Sequence, residues 1–92
     1  SDRWHISSSP DVCSGKPCVT GTRIRVQDIY IWHELEGRSV DEIISEFPQL
    51  TSADIYAALA FSWDHRQEIL DQIKRDAEII VSLKARQSSS RP

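Results

Sequence analysis

Ser39-Val40-Asp41-Glu42-Ile43-Ile44-Ser45-Glu46-Phe47-Pro48-Gln49-Leu50-Thr51-Ser52-Ala53-Asp54 carries two helix starts and one helix stop. Ser39 and Glu42 have the spacing of a capping box, in which the hydroxyl and the carboxylate satisfy each other's backbone amides. Val40, Ile43, Ile44 and Phe47 then recur at the 0, 3, 4, 7 spacing of one helical face. Pro48 cannot continue the helix. Thr51, with Asp54 three residues on, starts the next one, and Leu50 and Ile55 stand at the two positions of a hydrophobic staple. The stretch predicts a helix-turn-helix unit.

Upstream, the spacing predicts a helix from about Gln27 to Glu36, with Gly37 at the position where left-handed backbone ends helices. Its apolar residues Ile29, Ile31, Trp32 and Leu35 spread around the circumference, so it should be covered on more than one side. Before it, Gly15 to Val26 combines two glycines, a proline and three basic residues. Cys18-Val19-Thr20 and Arg23-Ile24-Arg25-Val26 are alternating and β-branched, which suits two short strands of a hairpin. On such a strand Arg23 and Arg25 share one face, opposite Ile24 and Val26. Trp4-His5-Ile6 and Val12-Cys13 are further short strand candidates around a Ser-Pro-Asp turn.

Downstream, Ser52 to Arg86 contains neither Gly nor Pro. Asp64 with Gln67 offers a second N-cap, so a break is expected near Ser62–His65. The last helix carries Ile69, Leu70, Ile73, Ala77, Ile80 and Val81 as an apolar stripe. The chain divides into a hairpin and helix-turn-helix core over 1–64, an amphipathic helix over 65–87, and a disordered tail over 88–92.

Ninety-two residues suffice for one modest core, and no apolar run reaches the ~20 residues of a membrane span. No signal peptide opens the chain, which lacks Met, so a trimmed N-terminus and reduced cysteines in a cytoplasmic protein are expected. The net charge of −3 argues against a strongly basic nucleic-acid coat. Residues 41–60 hold four acids and no Lys or Arg, so the helix-turn-helix is locally anionic.

Gly15-Lys16-Pro17, Gly21-Thr22-Arg23-Ile24, Gly37-Arg38-Ser39 and Phe47-Pro48-Gln49-Leu50-Thr51, in this order, resemble the domain-of-unknown-function 433 family. The resemblance runs from about Ile6 to Trp63. It implies a homeodomain-like or winged-helix-like fold with a small β element in a prokaryotic, cytoplasmic protein. It also implies kinship with VapB-type antitoxins, which inhibit PIN-like ribonuclease toxins encoded beside them.

Two functional readings follow. In the first, the chain is an antitoxin-like binding module and a homodimer, with Ile69, Ile73, Ala77 and Ile80 as the dimer or toxin interface. An apolar helix laid in a partner's groove is a common recognition mode. In the second, the chain is a DNA-binding regulator of its own operator. Lys16, Arg23, Arg25 and Arg38 would then meet phosphates, and Ser52 and Tyr56 would face the bases from the second helix of the motif. That helix offers no cation, which weighs against base reading. Cys13 and Cys18 with His5, His33 and His65 lack the paired spacing of a zinc site. No nucleophile elbow or phosphate loop is present, so neither catalysis nor a cofactor or small-molecule substrate is expected.

Overall fold

Caps, turns and one apolar core account for the architecture seen in a computed structural model, which describes residues 5–9, 11 and 15–89. The chain is mainly helical. Strands β1 (Ile6–Ser7) and β2 (Cys18–Val19) precede helices α1 (Val26–Tyr30), α2 (Val40–Glu46), α3 (Ser52–Asp64) and α4 (Arg66–Ser89). One further turn, Ile31–Leu35, continues α1 as a π-helix, with Glu36 N–H donating to the Ile31 carbonyl at 2.8 Å.

The helix-turn-helix forms as its caps dictate. Ser39 Oγ accepts from Glu42 N–H at 3.1 Å while Glu42 Oε1 accepts from Ser39 N–H at 3.0 Å. Thr51 and Asp54 make the same reciprocal pair at 3.1 and 3.0 Å. Leu50 and Ile55 are both buried, completing the staple. Gly37 takes φ +73°, a left-handed conformation that ends the first helical segment. The break between α3 and α4 falls at His65, within the expected window. Asp64 does not cap α4, however; it is the last residue of α3. His65 takes the starting role, its carbonyl accepting from Ile69 N–H at 3.0 Å.

The N-terminal β element differs from the expected one. β2 pairs antiparallel with β1, Ile6 opposite Val19 and Ser7 opposite Cys18. Arg23–Val26 is not a strand. Gly21, at φ +81°, and Thr22 tighten the turn, because Thr22 Oγ1 donates to the Val19 carbonyl and accepts from Ile24 N–H. Within this segment Arg25 forms an isolated bridge to Cys18 before Val26 opens α1. Arg25 is therefore the N-cap residue of α1, and its N–H donates to Asp28 Oδ2 at 3.0 Å. The Val12-Cys13 strand candidate, and with it the role of Cys13, lies outside the described residues. At the far end α4 runs on to Ser89, and the rest of the tail candidate, residues 90–92, lies outside the described residues.

The core joins Ile6, Val19, Val26, Ile29, Tyr30, Ile43, Leu50, Ile55, Leu59 and Ile69, with Leu70 and Ile73 packed against it. Trp32 and Phe47 stack at 4.6 Å and tie the π-helical turn to the end of α2. The radius of gyration is 14.9 Å and the longest extent 53 Å. A globule of this length has a radius near ~12 Å. The excess comes from α4, whose residues from Ala77 to Gln87 are all exposed.

Candidate partner-docking surface

Three of the four basic residues that the sequence offered for phosphate contact, Lys16, Arg25 and Arg38, face acids of the same chain. Asp76, on α4, accepts from Lys16 Nζ at 3.0 Å, from Arg25 Nη1 at 2.9 Å and from Gln27 Nε2 at 2.8 Å. Arg25 also grips Asp28, Nη2 to Oδ1 at 3.0 Å and Nε to Oδ2 at 3.2 Å. Hydrogen bonding to Asp28 raises the Arg25 pKa; burial opposes it and Asp76 reinforces it. For Asp76, burial works to raise the pKa. The donors Lys16 and Gln27, the Lys16 charge and Arg25 outweigh it, and the carboxylate is held below its ordinary range. Gln27 is 1 % exposed, and its Oε1 accepts no hydrogen bond among the described residues. The cluster clamps α4 to the loop before α1.

Arg38 is paired too, with Glu36 at 3.1 Å and Glu46 at 2.7 Å. Arg23 is exposed beside a shallow cleft it shares with Ser7, Ser9, Cys18, Gly21 and Thr22. Ser52 and Tyr56 are exposed on α3 as expected. The outer face of α3 is Ala53, Tyr56, Ala60 and Trp63, at spacings of three, four and three, with Ala60 half-buried. It is an apolar stripe without a cation. Trp63 Nε1 donates to Glu34, next to the exposed Leu35.

The histidines are scattered. His5 Nδ1 lies 2.7 Å from Asp54 Oδ1, His33 sits by Glu34, and His65 stacks on Phe61 at 4.1 Å. Burial works to raise the Asp54 pKa, but Thr51 N–H, His5 and the Thr51 hydroxyl hold it below the ordinary carboxylate value. Among the described residues no three His, Cys, Asp or Glu side chains converge on a common point.

The four α4 residues named for an interface divide in two. Ile69 is 1 % exposed inside the chain's own core, and Ile73 packs against that core and is partly buried. Ala77 and Ile80 are exposed, together with Ile79, Val81 and Leu83, each of the larger four more than half exposed. Sequence reasoning missed Asp76. The signal was an acid at i+3 from Ile73 and i+7 from Ile69, on the buried side of an amphipathic helix. A charge there requires partners.

These features sit on a helix-turn-helix scaffold of a recognised family. A family profile described as "Protein of unknown function (DUF433)" matches residues 6–62. The chain belongs to the DUF433 family. A solved structure similar to it is that of a DUF433 member protein from Anabaena variabilis ATCC 29413. The two are 26 % identical, with a TM-score of 0.72, over 78 % of this chain and 70 % of that one. Comparison with curated proteins gave no match.

Proposed function

We propose that the chain is an antitoxin-like binding module, not an enzyme, which dimerises and engages a PIN-like ribonuclease toxin. The observation that carries this reading is the distal part of α4. Beyond Asp76 the helix leaves the globule with Ile79, Ile80, Val81 and Leu83 exposed at 56, 52, 66 and 53 %. An apolar face of this size on a soluble domain marks an interaction site, and an amphipathic helix in a groove is the mode it fits. The operator-binding reading depends on cations, and Lys16, Arg25 and Arg38 are engaged by acids of the same chain. An anionic α2–α3 region also repels a duplex across the ~8 Å Debye length of physiological salt.

Co-expression with the product of the adjacent gene, followed by affinity capture, tests the proposal. A complex that Ile79→Asp combined with Leu83→Asp abolishes is the expected result. Absence of a complex, with no toxicity from the neighbour expressed alone, overturns it.

A further inference from the structure

We infer that a second copy of this chain covers the distal part of α4, which lies along the outer face of that copy's α3 in a reciprocal, two-fold pairing. The inference rests on the reading of distal α4 as a docking element and names the surface that receives it.

Three features of the molecule select this pairing. The first is charge. Residues 41–64, spanning α2 and α3, hold Asp41, Glu42, Glu46, Asp54 and Asp64 and neither Lys nor Arg. Distal α4, residues 77–87, holds Lys84 and Arg86 against Glu78, a net charge of +1. Two α3 faces brought together juxtapose acids, and two distal α4 segments juxtapose cations. Only the crossed arrangement sets opposite charge around the apolar contact, and like-charge juxtaposition at an interface is costly.

The second is shape. The outer stripe of α3 alternates small and large: Ala53, Tyr56, Ala60, Trp63. Tyr56 and Trp63 are 57 and 52 % exposed. Alanines between aromatics leave the hollows into which branched side chains of a facing helix insert. Distal α4 offers Ile79, Ile80 and Leu83 as the knobs.

The third is extent. Ala77 to Gln87 and Ala53 to Trp63 each span ~15 Å at 1.5 Å per residue. Because each copy gives one helix and receives one, two crossings form rather than one. That doubling moves the buried area toward the ~1,600 Å² of a stable interface. The arrangement is isologous and closed, so it stops at two copies.

The test is light scattering of the full chain after gel filtration, at roughly 100 μM and in low salt. The expected mass is twice the 10.5 kDa of one chain. Ile80→Glu disables the inserted helix and Tyr56→Glu the receiving face. Each should weaken the dimer at least ~100-fold, the loss typical of a central interface residue. Both positions are exposed within the chain, so circular dichroism should show folded protein, and Leu83→Glu and Trp63→Glu repeat the two arms at other positions. The decisive sample mixes the two monomeric variants. One intact crossing remains in a mixed pair, so a heterodimer should reappear, weaker than the parent.

A monomeric parent overturns the inference. So does a dimer that survives Tyr56→Glu and Trp63→Glu, which would mean α4 on α4, or one that survives Ile80→Glu and Leu83→Glu, which would mean α3 on α3. A monomeric chain that still captures the neighbour-encoded protein overturns this inference, and with it the dimerisation in the proposed function, and leaves the toxin-engaging part standing. A dimer that behaves as described but captures nothing supports this inference and removes the other.

Discussion

Two halves of one helix behave differently. From Arg66 to Asp76, α4 sinks Ile69 into the core, rests Leu70 and Ile73 against it, and clamps Asp76 between Lys16, Arg25 and Gln27. From Ala77 to Gln87 the same apolar period continues, but every residue is exposed. Periodicity announces that a face will be covered. It does not say whether the cover comes from the same chain. The proximal half is covered by its own chain, and the distal half is exposed.

The largest effect that would sharpen this contrast is Ile69→Ala. Loss of a fully buried aliphatic side chain should cost about 2–5 kcal/mol, read from the urea midpoint. Asp76→Ala should cost about 2 kcal/mol, because it takes an acceptor from buried Gln27 and from the partly buried Lys16 and Arg25. The pH dependence follows with its sign. Asp54 and Asp76 both have pKa values lowered from 3.8 in the folded chain. Their contribution is complete above the unfolded value near ~3.9 and is lost as pH falls through the lowered folded values. Thermal melts should therefore show a drop below about pH 4 that Asp76→Ala makes smaller. Thr51→Ala removes the acceptor for Asp54 N–H and should cost about 1 kcal/mol. Ile79→Ser, on the distal half, should shift stability by no more than ~0.5 kcal/mol while weakening partner capture. An Ile79→Ser protein as unstable as Ile69→Ala would erase the contrast.

What was legible in the sequence was what local chemistry decides. Ser39/Glu42, Pro48 and Thr51/Asp54 act over three or four residues, and the helix-turn-helix follows from them without knowledge of the fold. Arg23–Val26 reads as a strand by alternation, but Arg25 caps a helix by holding Asp28, and that competing local bond decides. Asp64 satisfies a cap pattern that the continuing turn of α3 absorbs. The clamp was not legible, because Lys16, Arg25 and Gln27 reach Asp76 across 49 to 60 residues of chain. Neither was the π-helical turn, which leaves no signature in the order of Ile31 to Leu35. The apolar face of α3 stands in the sequence, but Ser52 and Tyr56 by themselves suggest only a DNA-reading helix lacking cations.

The joint at His65, with φ −121° and ψ 36°, makes α4 a lever. Its 24 residues measure ~36 Å, so a tilt of ~10° at the joint would carry the tip ~6 Å. Asp76 pins the rod eleven residues out, close to its middle, and leaves only the last ~20 Å to bend. The aim of the distal tip is thus fixed at two points, a pivot in the backbone and a latch made of charge. Asp76→Asn weakens the latch without shortening the rod. Spin labels at Thr20 and Ser82 should then report a wider spread of distances than in the parent, and an unchanged spread would show that the pivot alone sets the aim.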